Sequence, residues 1–350
     1  MGMELVKEQV IYHGITAKKY LYLLLFAAVC TVSLLVDILV GPAWLAVPDV
    51  INAVLGTGLV EPTTAVIVWT LRLPTALMAL VVGATLGIAG AEMQTILDNP
   101  LASPYTLGIS AGAGFGAALA IVVGAGKLPI PEDYLIPFNA FVFALLSCLL
   151  IYFIGRVRTI TAETMVLAGI GLLFLFHALL ALLQYTASAE ALQAIVFWLF
   201  GSLMKATWAK VGVVATVLVL AVPLLVKDAW KLTALKLGDE KAKSLGINVE
   251  KLRLKTFVLI SLLTASAVCF VGTIGFIGLV GPHIARMLVG EDQRFFLPVS
   301  ALGGALLLST ASIGSKMIIP GAIFPIGIVT SLIGVPFFFS LLLTQKRGYW

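Results

Sequence analysis

The sequence predicts an all-α polytopic membrane protein with about ten transmembrane helices, and three observations carry that prediction. Hydrophobic residues fill 61% of the 350 positions, charged residues only 11%, and the mean hydropathy is +1.11. An average soluble domain carries about 25% charged residues, because its surface has to face water. The apolar residues also fall in runs that suit the hydrocarbon core, which takes about 20 residues per helix. These runs are apolar on nearly all sides, unlike the alternating strands of an outer-membrane barrel. Basic residues, finally, divide unevenly between the gaps.

The first run, Tyr20–Val40, follows Lys18 and Lys19 as a signal peptide would. It is long for such a segment and lacks a small-residue cleavage site, so it reads as a retained helix. Leu73–Leu97 and Leu107–Val123 come next, the latter carrying Gly108, Gly112, Gly114 and Gly116, a small-residue stripe that lets helices approach closely in lipid. Phe138–Ile154, Thr164–Tyr185, Val211–Val226, Phe257–Val271, Phe276–Val289, Phe295–Ser309 and Pro325–Leu343 complete the ten. Pro100, Pro104, Pro282 and Pro325 interrupt or begin helices, as expected where backbone lines a cavity instead of lipid. Cys30, Cys148 and Cys269 fall inside spans without disulfide or metal spacing and read as small packing residues.

Alternating the ten spans with the N-terminus inside puts 17 of the 22 basic residues on the inner face: Lys7, Lys18, Lys19, Arg156, Arg158, Lys227, Lys231, Lys236, Lys241, Lys243, Lys251, Arg253, Lys255, Arg286, Arg294, Lys346 and Arg347. Arg72, Lys127, Lys205, Lys210 and Lys316 remain outside. Inner loops are the basic ones, so both termini are expected in the cytoplasm. The net charge of +5 is then an orientation signal and no footprint for nucleic acid. A single transmembrane domain, 1–350, is expected in the inner (cytoplasmic) membrane, with residues 227–255 as a cytoplasmic loop within it.

Catalytic and metal chemistry find little purchase. No phosphate loop is present, since Gly126-Lys127 is followed by Leu128 and lacks the upstream glycine. His13, His177 and His283 stand far apart and read as structural, so no metal site is expected. Glu92 is a different matter, because an acid within a span is costly and marks a functional hypothesis by default. It could pair with a hydroxyl or amide, bind a proton or line a path. The stretch Lys227–Lys255 mixes Asp239, Glu240 and Glu250 with lysines, which suits docking to a protein better than to anionic lipid. Leu235, Ala242 and Leu245 recur at near-helical spacing, and Gly246 can end a short helix in the left-handed conformation.

That stretch resembles the coupling loop of permease subunits in the iron-siderophore, haem and cobalamin (FecCD-type) family of ABC importers. Four other stretches match the family in the same order: Arg72-Leu73-Pro74, Asn99–Ala118, the signature GTIGFIGLVGPHIARMLVGEDQR at Gly272–Arg294, and Pro325–Leu343. The resemblance covers nearly the whole chain after Tyr20. It implies a type II importer permease fold, working as a pair of identical or paralogous permeases on two ATP-binding subunits. A periplasmic or lipid-anchored binding protein would feed the pair. This chain would bind no cofactor; ATP and magnesium would sit on the partner ATPase.

By position, the resemblance assigns ATPase coupling to Leu237, Gly238, Asp239, Ala242, Leu245 and Gly246. It places an inner gate at Thr161, Ala162 and Glu163, where this chain departs from the small hydroxyl pair of some members; Glu163 equally reads as an acid at a helix N-terminus. Arg72 and Lys316 match basic positions that meet the binding protein, with lipid snorkelling as the other reading. Glu92, Phe174 and Trp198 are candidates for the pathway, Phe176 and Phe200 lying nearby in sequence. The implied substrate is an iron-siderophore complex, with haem or cobalamin as alternatives. An ion-coupled secondary transporter is the reading from another class, and it would have no use for the Lys227–Lys255 segment.

Overall fold

A computed structural model describes residues 2–43, 45–58, 60–124, 131–157, 161–319 and 321–344, so Lys127, Arg158, Lys346 and Arg347 of the charge count lie outside the described residues. Among the described residues all regular structure is helical. Helix α1 (Gly2–Leu39) leads to the short α2 (Val47–Leu55) and α3 (Pro62–Ile67). A π turn at Val68–Arg72 joins α3 without a break to α4 (Leu73–Ile96). α5 (Ile109–Leu119) ends in a second π turn at Ala120–Gly124 and is followed by α6 (Glu132–Val157), α7 (Ala162–Thr186), α8 (Ala189–Leu199) and α9 (Trp208–Val226). The small helices α10 (Ala229–Leu235) and α11 (Asp239–Ser244) precede α12 (Val249–Val271), α13 (Ile277–Val289), α14 (Gln293–Met317) and α15 (Ile326–Thr344).

Each of the ten expected spans coincides with a helix: α1, α4, α5, α6, α7, α9, α12, α13, α14 and α15. Seven helical segments, at α1, α3–α4, α6, α7, α9, α12 and α14, are long and apolar enough to cross a bilayer. The other three expected spans are shorter apolar helices. α13, at 13 residues, reaches only about 20 Å along its axis, and the non-helical Gly272–Phe276 separates it from α12. Three corrections follow. Pro282 lies inside α13 instead of interrupting a helix. α14 runs well past Ser309, to Met317. Residues 249–255 of the expected loop are the first turns of α12.

Burial ranks the helices. In the most apolar window of α12 67% of residues are buried, in that of α14 61%, and in that of α7 only 17%. α4, α12 and α14 therefore form the interior, with α1, α6, α7 and α9 around them. Lipid offers no hydrophobic drive for helix association, so close backbone packing has to supply it. α4 provides it through Gly83 and Gly87, which lie against the backbone of Gly304 and Ser300 on α14, and through Gly90, which lies against Gly278 on α13. The expected α5 stripe packs as well: a Cβ on Gly112 or Gly116 would strike the α6 backbone at Phe143 or Asn139. Cys30, Cys148 and Cys269 are free and buried.

α1 is pinned to α14 by polar contacts in the bundle: Ser33 and Ser309 hydroxyls lie 2.7 Å apart, and Ser312 donates to Asp37 Oδ1 at 3.0 Å. Lys316 completes the set, with Nζ 2.7 Å from Asp37 Oδ1 and 2.9 Å from its carbonyl oxygen.

Candidate functional site

At one end of the bundle, α10 and α11 fold into a charged knob over the ends of α4, α12 and α14. α11 is closed at both ends by glycine in backbone states that cost other residues strain. Gly238, at φ 98°, precedes it, and Gly246, at φ 80°, follows it. The Gly246 N–H donates to Lys243 O at 2.9 Å, and Ile247 N–H to Ala242 O at 3.1 Å, a Schellman closure. Ala242 and Ile247 are buried beneath it, as the motif's accompanying apolar contact requires. The closure turns Leu237 and Leu245 outward at 57% and 51% exposure, while Trp230 stands at 66% on α10. Apolar tips thus stand among Glu240, Lys241 and Lys243, with Lys243 donating to Glu240 at 3.0 Å.

The knob is tied to the bundle by ions. Arg253, on the first turns of α12, donates two N–H groups to the Asp239 carboxylate at 3.1 and 2.9 Å and a third to Ile96 O at 2.8 Å. Lys236 reaches Asp98 at 2.6 Å and Glu291 at 3.4 Å. Gln293 donates through its backbone N–H to Thr233 Oγ1 and through Nε2 to Thr95 Oγ1, so α10, α14 and α4 meet there. Asp228, between α9 and α10, accepts from Lys231 at 2.8 Å and Lys255 at 2.5 Å. Burial alone would raise the pKa of Asp228, but these two lysines outweigh it and hold the carboxyl below the usual range.

Thr161 caps α7, its Oγ1 accepting from Thr164 N–H at 3.2 Å. Ala162 is half-buried, and Glu163 is exposed in the first turn. The acid therefore sits where a helix N-terminus favours it, and it feels the charges of Arg253 and Asp239. The structure thus brings the expected gate segment and the expected coupling segment to the same end of the protein.

The opposite end opens into a cavity of about 860 Å³. It is lined by the starts of α4, α9 and α15, the ends of α7, α12 and α14, and the whole length of α8; Trp198, Lys205, Lys210 and Glu190 are among its side chains. Irregular backbone meets here. Gly327 N–H donates to Phe200 O at 2.9 Å, Ser202 N–H to Val271 O at 2.8 Å, and Thr273 Oγ1 to Leu199 O at 2.5 Å. Such backbone is tolerated at membrane depth where it is buried in protein or borders a cavity.

Arg72 and Lys316 are buried, and Lys316 is also among the residues that line this cavity. The Arg72 guanidinium donates to Ile38, Leu39 and Ala43 carbonyls at 3.1, 2.8 and 2.6 Å, capping the end of α1, and Lys316 is held by Asp37. In this conformation neither offers a free charge to a docking protein, because each is already satisfied within the chain. Glu92 is fully buried, and neither carboxyl oxygen has a hydrogen-bond partner among the described residues. Phe174 points outward at 71% exposure, whereas Trp198 lines the cavity. Phe176 is buried against Phe115, with ring centroids 5.8 Å apart. The structure therefore does not gather Glu92, Phe174 and Trp198 into one site. Sequence reasoning missed α8 and the anchoring role of Arg253, which stands between Lys251 and Lys255 and so looks like one more basic residue of that segment.

The bundle, the knob and the opposing cavity define a multi-pass permease of the ABC importer class. The sequence profile of the FecCD transport family matches residues 25–344, and the chain belongs to that family. An ABC transporter permease protein of Methanocaldococcus jannaschii is 39% identical over 96% of this chain and 98% of its own length. The Fe(3+)-citrate import system permease of Bacillus subtilis is 36% identical over 93% of this chain and 96% of its own. The vitamin B12 import system permease of Vibrio cholerae is 34% identical over 92% of each. Among solved structures, an inward-facing metal-chelate type ABC transporter superposes with a TM-score of 0.82 at 30% identity, covering 92% of this chain and 99% of that one.

Proposed function

We propose that this chain is one membrane-spanning half of an inner-membrane importer that carries a ferric siderophore into the cell by alternating access. A separate pair of ATPase subunits drives it, holding ATP and magnesium, and a binding protein delivers the solute on the cavity side. The observation that carries this reading is the knob. Two short helices, closed by Gly238 and Gly246, hold Leu237 and Leu245 outward among mixed charges, the surface chemistry of a protein contact. A loop resting on lipid would need its basic residues without Asp239 and Glu240 among them. The basic bias of that end makes it the cytoplasmic one. A second copy or paralogue completes the translocation path, consistent with the apolar face that α7 leaves open at Leu167 and Phe174.

Iron chelates are preferred as cargo because the Bacillus subtilis relative is an Fe(3+)-citrate permease and the superposing transporter is of metal-chelate type. Purification of the tagged chain in mild detergent tests the machinery. An ATPase should co-purify, and Leu237→Glu with Leu245→Glu should release it; a wild-type chain that purifies alone under conditions preserving such complexes would overturn the reading. Uptake of labelled ferric siderophore, haem and cobalamin by a deletion strain and its complement tests the cargo. Restoration of haem or cobalamin uptake alone would displace the siderophore.

A further inference from the structure

We infer that Arg253 is the positioning residue that makes the knob and the inner end of α4 move as one body. The inference rests on the coupling reading above and extends it from where the ATPase docks to how the push is delivered. A guanidinium has donors on several sides of a rigid plane, so it can hold a carboxylate bidentately while still binding a third group. Arg253 does both: its terminal nitrogens hold Asp239 at the start of α11, and Nε holds the Ile96 carbonyl in the last turn of α4. Its side chain is 3% exposed and its bond to Ile96 O is buried, while the Asp239 carboxylate is 42% exposed, so the fork joins a buried helix end to a solvent-facing acid.

A second tether acts at the same place. Lys236 binds Asp98 just beyond α4, and Asp98 holds a left-handed backbone at φ 45°. That conformation belongs to a Schellman closure of α4, in which Asp98 N–H donates to Thr95 O at 3.3 Å and Asn99 N–H to Gln94 O at 3.1 Å. Both tethers converge on the end of α4, the helix whose glycines lock against α13 and α14. Glu163, opening α7, lies within reach of the Arg253 and Asp239 charges. A displacement of α11 is therefore delivered to the bundle interior and passes beside the gate segment; without the arginine fork the knob could rock on its own glycines.

Arg253→Lys tests this, because one ammonium keeps the charge but cannot hold Asp239 and Ile96 O together in the same geometry. The full complex, reconstituted in liposomes with its ATPase and binding protein, is read three ways: ATPase bound per permease, ATP hydrolysed, and solute moved per ATP. The expected result is unchanged ATPase binding and hydrolysis, with solute moved per ATP down about five- to tenfold, the usual scale of a coupling interaction. Arg253→Gln, which keeps a donor but no charge, should fall at least as far. Full transport per ATP in Arg253→Lys overturns the inference. So does loss of ATPase binding in both variants, which would make Arg253 a support of the docking surface. If the wild-type chain binds no ATPase, it is the coupling reading itself that fails.

Discussion

Gly90 on α4 faces Gly278 across the α4–α13 contact, and the spacing there leaves no room for even one methyl group. An ideal Cβ on Gly90 would lie 1.8 Å from Gly278 O, 2.5 Å from its carbonyl carbon and 2.6 Å from its Cα, where ordinary contact begins at 3.4 Å. Every obstructing atom is backbone, so no rotamer change relieves the clash. The helices must part by about 1.5 Å, and a gap of even half that forfeits a quarter or more of each dispersion contact along the seam. Overpacking typically costs about 1–3 kcal/mol, and a backbone-to-backbone collision belongs at or above the top of that range. Gly171→Ala on α7 is the control, since nothing lies within 4 Å of its added Cβ; there alanine should gain up to about 1 kcal/mol from helix propensity. Thermal unfolding of the purified variants in mild detergent measures both. Gly90→Ala should melt about 4 °C or more below wild type, and Gly171→Ala at or slightly above it. Equal melting temperatures for the two would refute the claim that backbone contact at Gly90 holds α4 in place.

Gly246→Val forces a β-branched residue to φ 80°; a strain of about 1–2 kcal/mol should open the α11 closure and lower transport per ATP in reconstituted vesicles, whereas unchanged coupling would show the closure to be dispensable. Lys316→Met leaves Asp37 buried without its cation and should destabilise the chain by about 3–5 kcal/mol. Adding Asp37→Leu should return most of that loss, and a double variant no more stable than the single one would contradict the pairing. Glu92→Leu removes a buried carboxyl without a hydrogen-bond partner among the described residues and should stabilise by about 1–3 kcal/mol. A fall in melting temperature would contradict the claim that the unpaired carboxyl costs stability, and uptake assays show whether transport needs the acid.

What the sequence determined by itself is what can be read along one dimension. Apolar length, charge asymmetry and the position of Gly246 are local, and the helices appear where those quantities place them because a backbone in lipid must satisfy its own hydrogen bonds. The family signature at Gly272–Arg294 is equally local. The short α2 and α8 are hard to separate from loops by length alone, and α3 lies outside the expected span because it continues into α4 through the π turn. Partners belong to the tertiary structure. The family resemblance gives Arg72 and Lys316 to binding-protein docking, whereas the packing of α1 against α14 and the π turn before α4 bring carbonyls and Asp37 within their reach. The glycines of α4 look no different in sequence from those of α5, yet only the fold decides that Gly83, Gly87 and Gly90 meet α14 and α13. Arg253 shows the same division: its charge puts it on the expected inner face, while the approach of α11 to the last turn of α4 gives it two partners at once, since hydrogen bonds depend on distances that only packing sets.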